Sequence, residues 1–279
     1  MRRFIFLYAI SRSGHTAIKN WIGYQCPSPA YMLNWVGQIL EYKKNKQLID
    51  IRSSDRYIKN SILKTRYTTF KFLNELFELE KDFTVVVNCE NVVPNEKGLL
   101  GFFHKDKRIL DFIKDQCEIT HTLSIRDPYN NFSSSLKTNP NKCINNDAAT
   151  KFNNTYYKYI KEIEETNNFP NKVLINYNNW IISENYRKSI AKKLNITFTD
   201  TGFLQIGSRS GFDNAKYQGK TNEMKVLERW KTFKNNDFFK KTIDQKIFHD
   251  FSLKHFGFYL DFSNPNEAVA NYNNQFKKI

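Results

Sequence analysis

The stretch FIFLYAISRSGHTAIKNWI, Phe4–Ile22, limits what this 279-residue chain can fold into more than any other. Phe4–Ile10 is a short apolar run of β-favouring residues, as a parallel strand buried on both faces requires. The polar turn Ser11-Arg12-Ser13-Gly14-His15-Thr16 follows, and Ala17–Ile22 then puts Ile18, Trp21 and Ile22 at helical spacing. Strand, tight glycine-containing turn and helix together aim backbone N–H groups and a helix N-terminus at one spot. Such a spot binds an anion, usually a phosphate. Arg12 adds a side-chain charge there, and Ser13 and Thr16 add hydroxyl donors. The kinase phosphate loop G-x-x-x-x-G-K-[ST] is absent, because the turn has one glycine and no Lys-Ser/Thr pair, and so is the dinucleotide pattern G-x-G-x-x-G.

Three more strands read along the chain. Phe83–Asn88 ends in polar residues and brings Glu90 just past a strand end, Glu118–Ile125 runs into Arg126-Asp127-Pro128, and Lys172–Tyr177 is the last. In a parallel sheet the C-terminal strand ends line the crevice where ligands bind. The spacing predicts helices over Tyr31–Tyr42, Tyr67–Leu79, Asp106–Gln116, Thr150–Thr166, Trp180–Leu194 and Lys240–Phe256. Pro128 suits the first position of a helix after Arg126. Phe152, Tyr156, Tyr159, Ile160 and Ile163 form an apolar stripe that reads as core. Lys43–Lys64 is polar and reads as a loop or lid, and Asn139–Asp147 as an Asn-rich loop. The expectation is one three-layer α/β domain over residues 1–262, with a mostly parallel sheet of four or five strands and a polar tail from 263 to 279.

The turn SRSGHT resembles the 5′-phosphosulfate loop of PAPS-dependent sulfotransferases, in which a short [K/R]-S-G-x-T turn holds the 5′ end of the donor. The stretch TLSIRDPYNNFSSSLK resembles the same family's 3′-phosphate motif, R-[DN]-P-x-[DN]-x-x-x-S, with Arg126 at the Arg and Ser134 at the Ser. The chemistry is sound, since Arg grips a phosphate with parallel hydrogen bonds and a hydroxyl supplies another. Each motif alone is short; both in the correct order, each at a strand end, are far more specific. The resemblance implies a P-loop-like sulfotransferase architecture and an enzyme of the EC 2.8.2 type, moving a sulfuryl group from PAPS (3′-phosphoadenosine 5′-phosphosulfate) to a hydroxyl or amine and leaving PAP. It implies donor binding by Ser11, Arg12, Ser13, Gly14, His15, Thr16, Arg126 and Ser134, with no metal.

Position relative to the family makes Glu90 the general base, with His15 as a rival base or a donor to the bridging oxygen; Arg12 joins them as the third catalytic candidate. The late segment SRSGFDNAKYQGKTNEMKVLERWKTF is similar to the basic, glycine-containing loop that folds over the nucleotide, and Trp230-Lys231 echoes its W-[KR] pair. Its spacing departs from the R-K-G-x-x-G-D-W-K form, so Lys220 beside Gly219, and Arg209 or Ser210 beside Gly211, all stand as the contact to the 3′-phosphate. The family's Y-E-D-L is here Tyr177-Asn178-Asn179-Trp180, which keeps the frame without its acids and reads as structural.

Composition narrows the classes further. Lys+Arg exceed Asp+Glu by 43 to 28, a formal net charge of +15, which reads either as a bias toward Lys, Asn and Ile or as a surface that draws in polyanions. Cys26, Cys89, Cys117 and Cys143 are scattered, against both a zinc site and a disulfide framework. No run reaches the roughly 18 apolar residues of a membrane helix, and the expectation is a cytoplasmic protein. A carbohydrate acceptor suits a basic, aromatic-rich cleft. The rival readings are an ATP-dependent kinase with a degenerate loop, which lacks its Lys-Ser/Thr pair, and a non-catalytic nucleic-acid-binding protein, which leaves two phosphate motifs at strand ends without a purpose.

Overall fold

The computed structural model describes residues 1–27, 30–34, 38–42, 48–50, 73–74, 76–78, 80–103, 107–138, 146–203, 212, 217, 221–262 and 268–269. Phe4–Ile10 is the hub, as its apolar run requires. Strand β1 (Arg2–Ala9) has Phe4, Ile5, Phe6, Leu7 and Ala9 with no exposed surface at all, and it lies inside a seven-stranded sheet. The other strands are β2 (Ala30–Asn34), β3 (Gln38–Tyr42), β4 (Leu48–Asp50), β5 (Phe83–Glu90), β6 (Glu118–Ile125) and β7 (Val173–Asn176), in the spatial order β4-β3-β2-β5-β1-β6-β7. The pairs β2·β5, β5·β1, β1·β6 and β6·β7 are parallel; β2·β3 and β3·β4 are antiparallel.

The two faces of β1 seed two cores. Phe4, Phe6 and Tyr8 pack with Val85, Val87 and Leu123 beneath helices α2 (Glu96–Phe102), α3 (Lys107–Gln116), α4 (Pro128–Thr138), α5 (Asn146–Lys161), α8 (Asp237–Ile243) and α9 (Lys246–Phe256). Ile5 and Leu7 pack with Val86 and Ile175 beneath α1 (His15–Gln25), α6 (Tyr177–Ile182) and α7 (Glu184–Lys193). The result is the expected three-layer α/β fold with a mostly parallel sheet. Tyr156, Tyr159 and Ile160 are buried in the first core, and Phe152 and Ile163 pack against it, so the stripe on α5 is core. None of the helices among the described residues is long and apolar enough to cross a membrane, and Cys26, Cys89 and Cys117 are free thiols.

Several expectations need correction. Tyr31–Tyr42 is not a helix but the hairpin partners β2 and β3, which with β4 raise the sheet from four or five strands to seven. Its apolar residues fit either period, and pairing with β5 decides: Met32 sits opposite Val86, and Leu33 opposite Val87. Ala30 and Met32 then face one side while Leu33 joins the core on the other, the two-residue period of a strand. Trp180–Leu194 is two helices, because the Ser183 side chain accepts from the Tyr186 N–H and caps a new one. Thr150–Thr166 is α5 plus a π-helical turn, Glu162–Thr166. The closing helix is likewise split, into α8 and α9. Of the lid segment only β4 is described, and of the loop 139–147 only Asn146 and Asp147, which begin α5. In the tail, β9 (Ala268–Val269) pairs antiparallel with β8 (Tyr259–Leu260).

Candidate anion-binding site at the strand ends

Register brings the site together. Ala9 at the end of β1 is level with Glu90 on one neighbour and with Ser124 on the other. The segments that leave these ends, Ile10–Gly14, Asn91 onward and Arg126 onward, therefore share one crevice.

In the β1–α1 turn Arg12 has φ 65 and Gly14 φ 87, both left-handed. The Ser13 N–H bonds back to the Ile10 carbonyl at 3.1 Å, and the Gly14 carbonyl accepts from Ala17 at 2.9 Å. This winding leaves the His15 and Thr16 N–H groups at the start of α1 without backbone partners, in a concave turn of the kind that suits an anion. Ser13 is wholly buried with its Oγ unpartnered, whereas Arg12 is exposed. Gly14 is required twice over: its φ is left-handed, and a Cβ there lies 2.1 Å from the Tyr177 ring.

Glu90 stands at the rim. Its Oε1 accepts from Ser11 Oγ at 2.6 Å, and its Oε2 lies 3.3 Å from His15 Nε2, which is also 3.4 Å from Thr16 Oγ1. The hydrogen bond from His15 is the main cause that holds the Glu90 carboxyl down at about 2, against an opposing burial effect; the His15 charge, the Ser11 hydroxyl and Arg12 add to it. Stability from a carboxyl whose folded value is lowered is present above its unfolded value, near 4.5, and is lost as pH falls toward 2. Melting temperatures followed over that acidic range are expected to fall faster for the wild type than for Glu90→Gln. Parallel curves would remove the Ser11–Glu90–His15 linkage as a contributor to stability.

Arg126 follows β6 and is 1% exposed. Its Nη1 donates to the Arg12 carbonyl and to Ser134 Oγ, each at 3.1 Å, and its Nη2 to the Val226 carbonyl at 2.5 Å; Nε is buried without a partner. Ser134 comes into reach because Asp127 caps α4, accepting from the Asn130 N–H at 2.8 Å, and so starts the helix immediately after Arg126. Arg229 donates from Nη1 to the same Ser134 Oγ at 3.1 Å, and its guanidinium lies 4.5 Å from the Phe212 ring. Burial, and then the nearby Arg229 charge, push Arg126 down to about 10. Two buried guanidinium groups meeting at one hydroxyl make a site whose electrostatics an anion relieves.

The structure thus brings together Ser11, Arg12, Ser13, Gly14, His15, Thr16 and Glu90 in one cluster, and joins Arg126 and Ser134 to it through the Arg12 carbonyl. Arg209, Gly219 and Lys220 lie outside the described residues. Two residues were missed. Arg229 stands immediately before Trp230-Lys231, and that adjacency was the available signal; Lys231 itself pairs at the surface with Glu228 at 3.1 Å. Tyr177 was read as structural, yet its ring lies against Gly14 and 5.1 Å from the Arg126 guanidinium, so it bridges the β1–α1 turn and the end of β6. Among the described residues no group of three or more His, Cys, Asp or Glu is placed to hold a metal ion.

No protein-family model and no curated protein sequence matches the chain. Solved structures to which it is similar include the sulfotransferase domain from the curacin biosynthetic pathway, at 13% identity over 88% of this chain and 97% of that one, with a TM-score of 0.49. The sulfotransferase domain of the Synechococcus PCC 7002 olefin synthase is similar at 11% identity, over 93% and 96% of the two chains, with a TM-score of 0.49. Mouse sulfotransferase SULT7A1 complexed with PAP follows at 14% identity, over 91% and 89%, with a TM-score of 0.42. Likeness this distant carries no residue role across, and the roles assigned below rest on the site itself.

Proposed function

We propose that the chain is a PAPS-dependent sulfotransferase. The observation that carries the reading is the Arg126–Ser134–Arg229 cluster, joined through the Arg12 carbonyl to an anion-binding turn. Two separate anion sites on one crevice suit a nucleotide with phosphate at both its 5′ and 3′ ends. ADP and ATP carry nothing for the second.

The residues present fit that donor. The N–H groups of Gly14, His15 and Thr16 and the unpartnered Ser13 hydroxyl suit the need of a 5′-phosphosulfate for donors, and Arg12 adds charge at the open side. Arg126, Ser134 and Arg229 would hold the 3′-phosphate. PAPS, when bound, supplies the sulfuryl group. Glu90, the more exposed partner of the His15 pair, is placed to orient an acceptor hydroxyl and take its proton, and a carbohydrate is the acceptor class we propose. Charge that develops on the leaving oxygen is met by N–H dipoles fixed in the turn, which need no reorganisation at the moment of transfer, with the exposed Arg12 side chain adding charge.

Calorimetric titration with PAP, ADP and magnesium-ATP tests the reading. Micromolar PAP binding that ADP cannot match is the expected result, because only PAP reaches Arg126 and Arg229. Magnesium-ATP binding with no preference for PAP would turn the reading to a kinase, and binding of none of the three would sink it.

A further inference from the structure

The pairing of β1 with β5 ends at Ala9 opposite Glu90, yet the two chains stay laced beyond it. The Asn91 N–H donates to the Ala9 carbonyl at 2.8 Å, the Ser11 N–H to Asn91 Oδ1 at 2.9 Å, and Ser11 Oγ to Glu90 Oε1 at 2.6 Å. Asn91 has φ 57, a left-handed backbone that asparagine adopts more readily than most residues.

The oxygens of an ionised phosphosulfate only accept hydrogen bonds. Ser11 has two hydrogens to give, one on nitrogen and one on oxygen, and both are already given within the protein. Ser13 is the contrast, since its Oγ is buried with no partner. A serine with both donors committed adds nothing to a bound anion, but it does fix a carboxylate. The 2.6 Å length is that of a hydroxyl bonded to an ionised carboxylate. His15 Nε2 lies 3.3 Å from the other oxygen, Oε2, so Glu90 is held at both oxygens while its side chain stays 35% exposed. A carboxylate has about four acceptor sites, so roughly half remain for a hydroxyl arriving from the crevice.

We propose that Ser11 is a positioning residue for Glu90 and not a ligand of the donor: it fixes the carboxylate that receives the acceptor hydroxyl. The proposal rests on the sulfuryl-transfer reading above and moves Ser11 from the donor side of the crevice to the acceptor side. In the step it serves, the acceptor oxygen bonds to sulfur, and the bond from sulfur to the PAP oxygen breaks with its electron pair staying on that oxygen. The acceptor proton goes to Glu90 and from there to water. The ionisable groups that act on Glu90 are His15 and Arg12 in the turn and Tyr159 on α5, and Ser11→Ala leaves all three in place. Burial pushes the Tyr159 phenol well up, so it stays neutral.

Three measurements on Ser11→Ala test the role. In titration calorimetry its PAP affinity is expected to stay within about threefold of the wild type, whereas loss of a direct phosphate ligand costs about tenfold or more. In carboxyl ¹³C spectra of the ligand-free protein, the Glu90 value is expected to rise from about 2 toward 4.5, because a hydroxyl that favours the ionised form is gone. With PAPS as donor and water as the acceptor, release of PAP is expected to slow about 10- to 100-fold. A tenfold loss of PAP affinity makes Ser11 a donor ligand and overturns the proposal, and so does an unmoved Glu90 titration or an unslowed release. A wild type that binds no PAP overturns the sulfotransferase reading and this role together. A wild type that binds PAP, beside a Ser11→Ala variant with unchanged titration or rate, overturns the role alone.

Discussion

Arg126→Ala is expected to weaken PAP binding by about 100- to 1000-fold, or roughly 3–4 kcal/mol, while ADP affinity changes by less than about threefold. The asymmetry is the point. Arg126 lies behind the site we propose for the 3′-phosphate, and ADP has no group to place there. Its side chain is 1% exposed and already hydrogen-bonded to the Arg12 and Val226 carbonyls and to Ser134, so the guanidinium is positioned before any ligand arrives. Preorganisation of this kind lowers the ordering cost of binding. Because the alanine variant also leaves two carbonyls without their donor, Arg126→Lys is the companion measurement. It keeps one charge but loses the planar fork, and an intermediate loss of PAP affinity with the fold retained is expected. Equal losses for PAP and ADP in titration calorimetry would take the 3′-phosphate role away from Arg126.

Gly14→Ala is expected to destabilise the protein by about 3–5 kcal/mol, lowering Tm by roughly 10 °C. Two causes add. The backbone at φ 87 costs a non-glycine residue about 1–2 kcal/mol. The new Cβ also lies 2.1 Å from Tyr177 Cε2, on a ring only 3% exposed and with little room to retreat. The variant Gly14→Ala/Tyr177→Leu separates them. With the ring gone the collision disappears and only backbone strain remains, so the double variant is expected to be more stable than the sum of the two single changes allows. Additive effects in denaturant titrations would show that the loop does not depend on the Tyr177 contact.

Both effects arise where a short local motif meets a residue from far along the chain, and legibility divides at the same line. The β1 run, the turn and the first helix were readable because strand and helix periods are local and a glycine turn between them has few alternatives. Arg126 and Ser134 were picked out by the resemblance of one short stretch, at a strand end and on the helix after it, to a family motif. The segment Tyr31–Tyr42 was not. Its apolar residues satisfy either period, and only the parallel pairing of β2 with β5 made it a strand. Ser183 split a helix through one cap that propensity alone does not resolve.

From the sequence alone came the kind of molecule this is: an α/β domain with a mostly parallel sheet and two polar motifs at strand ends, legible because period and turn chemistry act over a few neighbouring residues. Tertiary structure alone decided which groups share the crevice. It set Glu90 against His15, laid Tyr177 over Gly14, and brought Arg229 onto Ser134. None of these pairs is close in sequence. Each depends on crossovers that stack helices on a buried sheet, and burial of the whole chain, rather than any local preference, determines where those crossovers place their ends.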